Sequence, residues 1–341
     1  MLEVGRLAPG EKTRWDAFVT GHPSGTFFHL ASWADVMRDA FAHTPHFVTV
    51  SQGGALRGVL PLVELKSRLF GHALISNAFC VGGGPLTLDE ESRRALLGEA
   101  ERLGRRLNVA YVELRDSEGV DGWIAKDDLY AGFEREIAPN EADSLTQIPR
   151  KQRAVVRKAI EGAFRVTTDQ DLDTFYALFS RTVRDHGTPV FSKAYFAEIL
   201  RSFPDQADIL TVWQGETPLS SVLSYYFRDR VYPYYTGSEP QARNVGTNDL
   251  MYWKLMRHAV ARGCRIFDFG RSKVGTGPYA FKKNWGFEPR PIRHQFLLLG
   301  RATLPNLNPT NPRYAALIEI WRRLPLPVAN AISPMISRNL G

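Results

Sequence analysis

Two stretches of this chain carry the same succession of strand, turn, strand, long helix and strand, and that repetition limits the fold more than any single motif. Ala55–Leu65 aligns with Thr217–Phe227, Ala73–Ser76 with Val231–Thr236, and Asn108–Arg115 with Gly263–Phe269. In each copy the strand after the long helix holds one carboxylate, Glu113 in the first and Asp268 in the second. Two copies are too few for a solenoid, so the pattern reads as a duplicated domain. The length of 341 residues agrees, at roughly 100–200 residues per domain. The expected fold is α/β, of the α+β kind, with two similar domains in tandem, each a mixed, mostly antiparallel sheet flanked by helices. The expected segments are 1–143 for the first domain, 144–162 for a basic linker helix, 163–300 for the second domain with the site, and 301–341 for a strap or amphipathic tail.

Hydrophobic periodicity places the elements. Helices are expected over Lys12–Val19, over Ser32–Ala40 with Ser32 as N-cap, and over Ser92–Leu107, where Leu96, Leu97, Leu103 and Leu107 keep a helical period. Strands are expected at Phe47–Ser51, Gly58–Leu65, Ala73–Ser76 and Val109–Leu114. The second copy gives strands at Ile209–Trp213, Leu219–Phe227, Val231–Thr236 and Arg265–Phe269, with helices over Leu172–Arg184 and Asp249–Ala261.

With 44% hydrophobic residues each half can bury a core. The two cysteines, Cys80 and Cys264, are far apart, which argues against a disulfide scaffold, against a metal site, and for a reducing compartment. Met1–Arg6 has an early acid and no apolar run behind it, so no secretory signal is expected, and no stretch approaches the ~18 apolar residues of a spanning helix. The expected location is cytoplasmic, with a peripheral position on the inner membrane as an extension. The net charge of +7 is compatible with a phosphate cofactor, RNA or a membrane surface as partner. Cations concentrate in Ser144–Glu161, where Arg150, Arg153 and Arg157 share one helical face. That face reads either as a solvated linker or as a ridge for phosphates or nucleic acid. In the tail, Tyr314–Arg323 is a helix candidate and Leu324–Ile332 an apolar run broken by prolines. The run reads as a strap on the core or as a contact with a membrane surface.

Four segments carry candidate chemistry. In Phe267–Lys273 the apolar flanks of Asp268 predict a buried carboxylate that needs a partner, for which Arg271 is nearest in sequence. In Tyr279–Gly286 aromatic residues anchor the run, so that Lys282 and Lys283 can meet phosphates or a developing anion, with Trp285 beside them. The loop Glu239–Asn248 precedes a long helix, and Arg243, Gly246, Thr247 and Asn248 would offer an anion a helix N-terminus. In Thr182–Pro189, Arg184, Asp185, His186 and Thr188 end a helix; they can bind a polar substrate or take a proton from an amine, and His186 can equally be a helix C-cap. Tyr225, Tyr226, Tyr232, Tyr234 and Tyr235 cluster on paired strands, with Tyr235 the candidate proton donor and Ser238 close behind it as a substrate contact.

Together these residues resemble the FemAB-like branch of the GNAT acyltransferase superfamily, particularly the subgroup associated with exosortase and exopolysaccharide loci. The resemblance covers about residues 25–300 and rests on Gly58–Phe70, Lys151–Ala159, Arg184–Val190 and above all Phe267–Gly286. It implies two GNAT-like domains and amide formation on a nucleophilic amine. Acetyltransferase-type folds hold the pyrophosphate of coenzyme A at a turn like Arg243–Asn248, although Asn248 stands where that turn has Gly or Ala. In characterised FemAB-type enzymes the donor is aminoacyl-tRNA, the acceptor is a peptidoglycan precursor, and a lysine after a phenylalanine assists the chemistry, a place that Phe281-Lys282 matches. The coiled-coil arm of some FemAB proteins has no counterpart here. The expected reaction is therefore N-acylation of an envelope building block such as a lipid amine or amino sugar, from acyl-CoA or acyl-carrier protein. Aminoacyl-tRNA is the alternative donor, and a non-catalytic binding module or an RNA-binding protein the alternative role. In the expected site Lys282 stabilises the oxyanion, Asp268 or His186 accepts the amine proton, and Arg271 and Arg243 with Gly246 hold donor phosphates. The oligomeric state is not legible.

Overall fold

The computed structural model describes residues 1–67, 70–300, 303 and 312–340, so Arg68-Leu69 and the irregular run Leu304–Pro309 lie outside the described residues. In chain order the elements are β1 (Leu2–Arg6), α1 (Lys12–Gly21), α2 (Trp33–Phe41), β2 (Thr44–Gln52), β3 (Ala55–Ser67), β4 (Gly71–Ser76), β5 (Leu86–Thr87), α3 (Glu90–Arg106), β6 (Tyr111–Arg115) and β7 (Ile124–Lys126). There follow β8 (Tyr130–Glu136), α4 (Glu141–Thr146), α5 (Arg150–Ile160), β9 (Arg165–Asp169), α6 (Leu172–Asp185), α7 (Lys193–Ser202), β10 (Ala207–Gln214), β11 (Thr217–Phe227) and β12 (Arg230–Ser238). The chain continues with α8 (Ala242–Val245), α9 (Thr247–Ala261), β13 (Ile266–Lys273), α10 (Gly277–Asn284), β14 (Pro289–Pro291), β15 (His294–Leu298), α11 (Pro312–Arg323) and α12 (Leu326–Ser337).

The strands form two sheets, ordered β1-β2-β3-β4-β6-β15-β7, with β5 on β3, and β9-β10-β11-β12-β13-β8-β14. The two orders match position by position. All neighbours are antiparallel except β4–β6 and β12–β13, which are parallel. The expected repeat therefore holds down to strand direction. One strand departs from a simple tandem. β8 follows the first copy in sequence but pairs with β13, whereas β15 follows the second copy and pairs with β6. The first change from one compact unit to the other accordingly falls at Asp128/Leu129, and the chain returns to the first unit at Ile292.

Local chemistry explains the elements. Asp89, Asp171 and Ser192 cap α3, α6 and α7 by accepting the N–H of Ser92, Thr174 and Tyr195. Ser32 stands before α2 but makes no side-chain cap bond. β11 is buried along nearly its whole length, as befits the apolar middle strand of a covered sheet. α6 lies against β12 so closely that a Cβ on Gly237 would sit 2.2 Å from the Phe179 amide nitrogen. The tail lies along the same helix: Arg184 Nη1 donates to the Leu324 carbonyl at 2.9 Å, and Asn330 Nδ2 to Ser180 Oγ at 3.4 Å.

Candidate active site

In the second sheet the parallel neighbours β12 and β13 pair only at Arg230/Ile266 and Val231/Phe267. Beyond that point their edges part, and Asp268 is the first residue of β13 past the fork. The strand then bulges: three residues of β13, from Asp268, are set against two of β8 before Arg271 pairs with Gly132. Gly270 takes φ +67 within the bulge, a left-handed conformation that suits glycine. Its N–H turns back to Asp268 Oδ1 at 2.8 Å. The bulge also carries Arg271 away, onto the ring of Tyr130 at 4.5 Å. The expected Asp268–Arg271 pair is thus replaced by a backbone contact.

Lys282 comes from the last turn of α10. Tyr252, Phe269, Phe281 and Trp285 pack around that helix and fix its rotation. The two lysines consequently divide: Lys282 points inward at 9% exposure and Lys283 is exposed. Lys282 Nζ donates to the carbonyls of Gly270 at 3.1 Å and Arg271 at 3.0 Å, over the rings of Phe133 and Phe269. An ammonium has three donors, so one remains for a ligand. Burial lowers the ammonium pKa to about 7, against the attraction of Asp268 and with the help of Arg271. Burial raises Asp268 to about 6, opposed by the Gly270 N–H, supported by Glu134, and opposed again by Arg230 and Lys282. Two groups with ordinary values far apart are thereby brought close together near neutrality.

The first unit shows the same strand position without that poise. Glu113 on β6 accepts from Arg115 Nε at 2.9 Å and meets His294 Nδ1 at 3.1 Å; Arg115 Nη1 also donates to the Cys80 carbonyl at 3.0 Å. Burial alone would raise Glu113, but Arg115 and His294 outweigh it and hold the carboxyl at about 2. This is a locked ionic cluster.

The remaining candidates fall into a second group and into the core. Arg184, Asp185, His186 and Thr188 stand at the C-terminal end of α6, with His186 as its C-cap. Thr182 Oγ1 joins that end to the N–H and carbonyl of Ser238 at 2.8 and 3.1 Å. The His186 pKa is lowered by partial burial, against Asp185 and with Arg322 and Arg243, so two arginines and an acid act on it there. No contact among the described residues joins this corner to Asp268 and Lys282. Tyr235 is buried in an aromatic cluster with Phe179, Phe191 and Phe196, its hydroxyl 2.9 Å from that of Tyr195. Trp285 is fully buried and donates to Asp249 Oδ1 at 3.0 Å.

The expected anion turn is closed. Thr247 is fully buried with Oγ1 2.8 Å from Ser220 Oγ, which also donates to Asn248 Oδ1 at 2.8 Å. Gly246 lies under α5, where an added Cβ would meet those of Ala159 at 3.4 Å and Val155 Cγ1 at 3.5 Å. Asp249, in the first turn of α9, takes hydrogen bonds from Gln152 and Trp285 and occupies the favourable end of the helix dipole. Arg243, Asn244 and Val245 of the turn are exposed, while Gly246 and Thr247 are buried. Reading along the chain missed Phe133, Glu134 and Arg230, which shape the Lys282 and Asp268 environment. Only the glycine inside a strand pattern at 270 signalled the bulge.

A splayed parallel pair with polar groups at the fork is matched by sequence. The acetyltransferase (GNAT) domain model fits residues 144–283. The matched residues lie within the second compact unit, in its segment Leu129–Pro291. The whole chain shares its fold with FemX, at a TM-score of 0.69 and 18% identity over 93% of this chain and all of that one. L-PGS from Bacillus licheniformis aligns at 0.56 and 14% over 94% and 98%. A tandem GNAT protein from the clavulanic acid biosynthesis pathway aligns at 0.53 and 14% over 89% and 100%. No curated protein matches. Over its whole length the chain has the fold of FemX and of the tandem GNAT protein, and residues 144–283 carry the sequence match to the GNAT domain. No helix among the described residues is long and apolar enough to cross a membrane, and no cluster of metal-ligating side chains occurs among them.

Proposed function

We propose that the second GNAT domain forms an amide between a carrier-borne acyl group and an amine of a cell-envelope building block. The observation that carries this reading is the Asp268–Lys282 arrangement at the fork, with groups at about 6 and about 7. The amine nitrogen attacks the acyl carbonyl, and the free donor of Lys282 receives the oxyanion. Asp268 accepts the proton lost by the amine. Collapse of the tetrahedral intermediate breaks the ester or thioester bond, and the leaving oxygen or sulfur departs with that proton.

The closed start of α9 supports a donor whose phosphates are not held there as those of coenzyme A would be. Arg150, Lys151, Arg157 and Lys158 of α5 are exposed beside it, which favours aminoacyl-tRNA, with acyl-carrier protein as the second donor. Arg153 is partly diverted to the carbonyls of Ile148 and Thr146. Single-turnover assays with charged tRNA, acyl-carrier protein and acyl-CoA, scored by amide formation on peptide, amino-sugar and lipid amines, test the reading. Amine-dependent deacylation of a carrier-borne donor, lost in Lys282→Met, is expected. Saturable acyl-CoA turnover that Arg243→Ala weakens would overturn the donor assignment, and full activity of Lys282→Met the site. Failure of every donor would leave the non-catalytic module.

A further inference from the structure

α12 is amphipathic in the unusual sense: its small residues face the protein and its apolar ones face out. Ala329, Ser333 and Ser337, four residues apart, are at most 2% exposed. Val328, Ile332 and Met335 are 42%, 37% and 65% exposed, and Ala331 between them is exposed too. Their spacing of three and four residues gathers them into one stripe along the helix. Ile320 of α11, 60% exposed, continues the apolar character upstream. Both ends of the stripe are basic. Arg322 and Arg323 precede it and Arg338 follows it, all exposed; Glu319, the acid nearest in sequence, is engaged with Arg322 and Arg323, and Arg338 Nη2 donates to the Phe41 carbonyl at 2.5 Å. Asn330, reaching Ser180 at 3.4 Å, holds the helix with that face outward.

We propose that this stripe rests on an anionic lipid surface, with Val328, Ala331, Ile332 and Met335 at the acyl boundary and the arginines among the headgroups. An exposed apolar stripe on a single helix, bracketed by cations, suits a planar anionic interface. A second copy on the same face would set like charges against each other, which disfavours self-association. The helix, 12 residues and roughly 18 Å long, lies on a bilayer and is too short to span one. The inference is independent of the proposed reaction, because it is read without turnover.

The experiment is flotation of the full chain with vesicles of phosphatidylcholine containing a third phosphatidylglycerol, and with phosphatidylcholine alone. Binding to the anionic vesicles is expected, weakened by salt and reduced about fivefold in the neutralising Arg323→Gln variant. Ile332→Asp with Met335→Asp should abolish it while leaving the thermal midpoint unchanged, since both side chains face solvent. No binding by the wild-type chain, equal binding to both vesicle types, or binding indifferent to the paired substitution would overturn the proposal. So would a dimer in sedimentation that the same pair dissociates.

Discussion

Replacing Lys282 by Met should separate the two consequences of burying an ammonium. The folded chain holds this group at about 7 whereas its ordinary value is 10.5. Between those values the unfolded chain binds the proton and the folded chain releases it, so wild-type stability rises with pH across that window. One proton is worth about 1.4 kcal/mol per pH unit, and the accumulated penalty near pH 7 is about 4 kcal/mol. Methionine removes the penalty but leaves the Gly270 and Arg271 carbonyls without their donor, at about 1–3 kcal/mol each. Near pH 7 the variant should therefore lie within about 2 kcal/mol of wild type, while turnover falls about 10²–10³-fold. Urea unfolding at pH 7, 8, 9 and 10 reads the difference. Wild type should gain about 4 kcal/mol on the variant from pH 7 to 10, with all other titrations cancelling between the two chains. Parallel stability curves would mean that Lys282 keeps an ordinary ammonium, and the argument from its poise would fail.

Asp268→Asn should fold, lose at least about 10²-fold in kcat, and abolish the acid limb expected near pH 6 in the wild-type profile, because only the carboxylate accepts a proton. Glu113→Gln leaves Arg115 buried without its counter-charge and should cost about 3–5 kcal/mol in thermal or urea unfolding; since Glu113 sits at about 2, the wild-type contribution is present above pH 4.5 and lost as pH falls through 2. Gly237→Ala drives a methyl into the backbone of α6 and should destabilise by about 3 kcal/mol or more. Gly98→Ala, within α3 and with open space around it, should stabilise by roughly 0.5–1 kcal/mol in the same melts.

Much of the fold was legible because the repeat is written in local patterns. The long apolar strands and the capped helices announce themselves, and Glu113 and Asp268 fall where the two copies align. What was not legible depends on distance. β8 and β15 are short, and each pairs with a strand of the other copy, so nothing near Tyr130 or His294 in sequence reveals its partner. The site divides in the same way. Aromatic neighbours foretell that Lys282 turns inward, but neighbourhood in sequence assigns Arg271 to Asp268, and one extra residue in the strand sends it to Tyr130 instead. Likewise the turn Arg243–Asn248 looks like an open helix start until α5, far back in the chain, is laid over Gly246.

The comparison between the halves gives the strongest reason to place chemistry in the second. Both sheets hold one short parallel pairing, and both put a carboxylate on the strand that follows the long helix: Asp268 just past the last paired residue, Glu113 opposite Ile75 at the end of the ladder. In the first unit Arg115 and His294 surround Glu113, which fixes its charge through the whole physiological range. In the second, the corresponding neighbours are a glycine N–H and an amine that is itself partly discharged by burial. A carboxylate matched by a guanidinium cannot take up a proton near neutral pH, so it serves stability. One left with a single backbone donor, in reach of a lysine near its own titration point, can exchange protons with a substrate at little cost. The duplicated scaffold thus carries one carboxylate sealed by an ion pair and one without a hydrogen-bonded side-chain cation, and the difference comes from the few residues around each acid rather than from the fold they share.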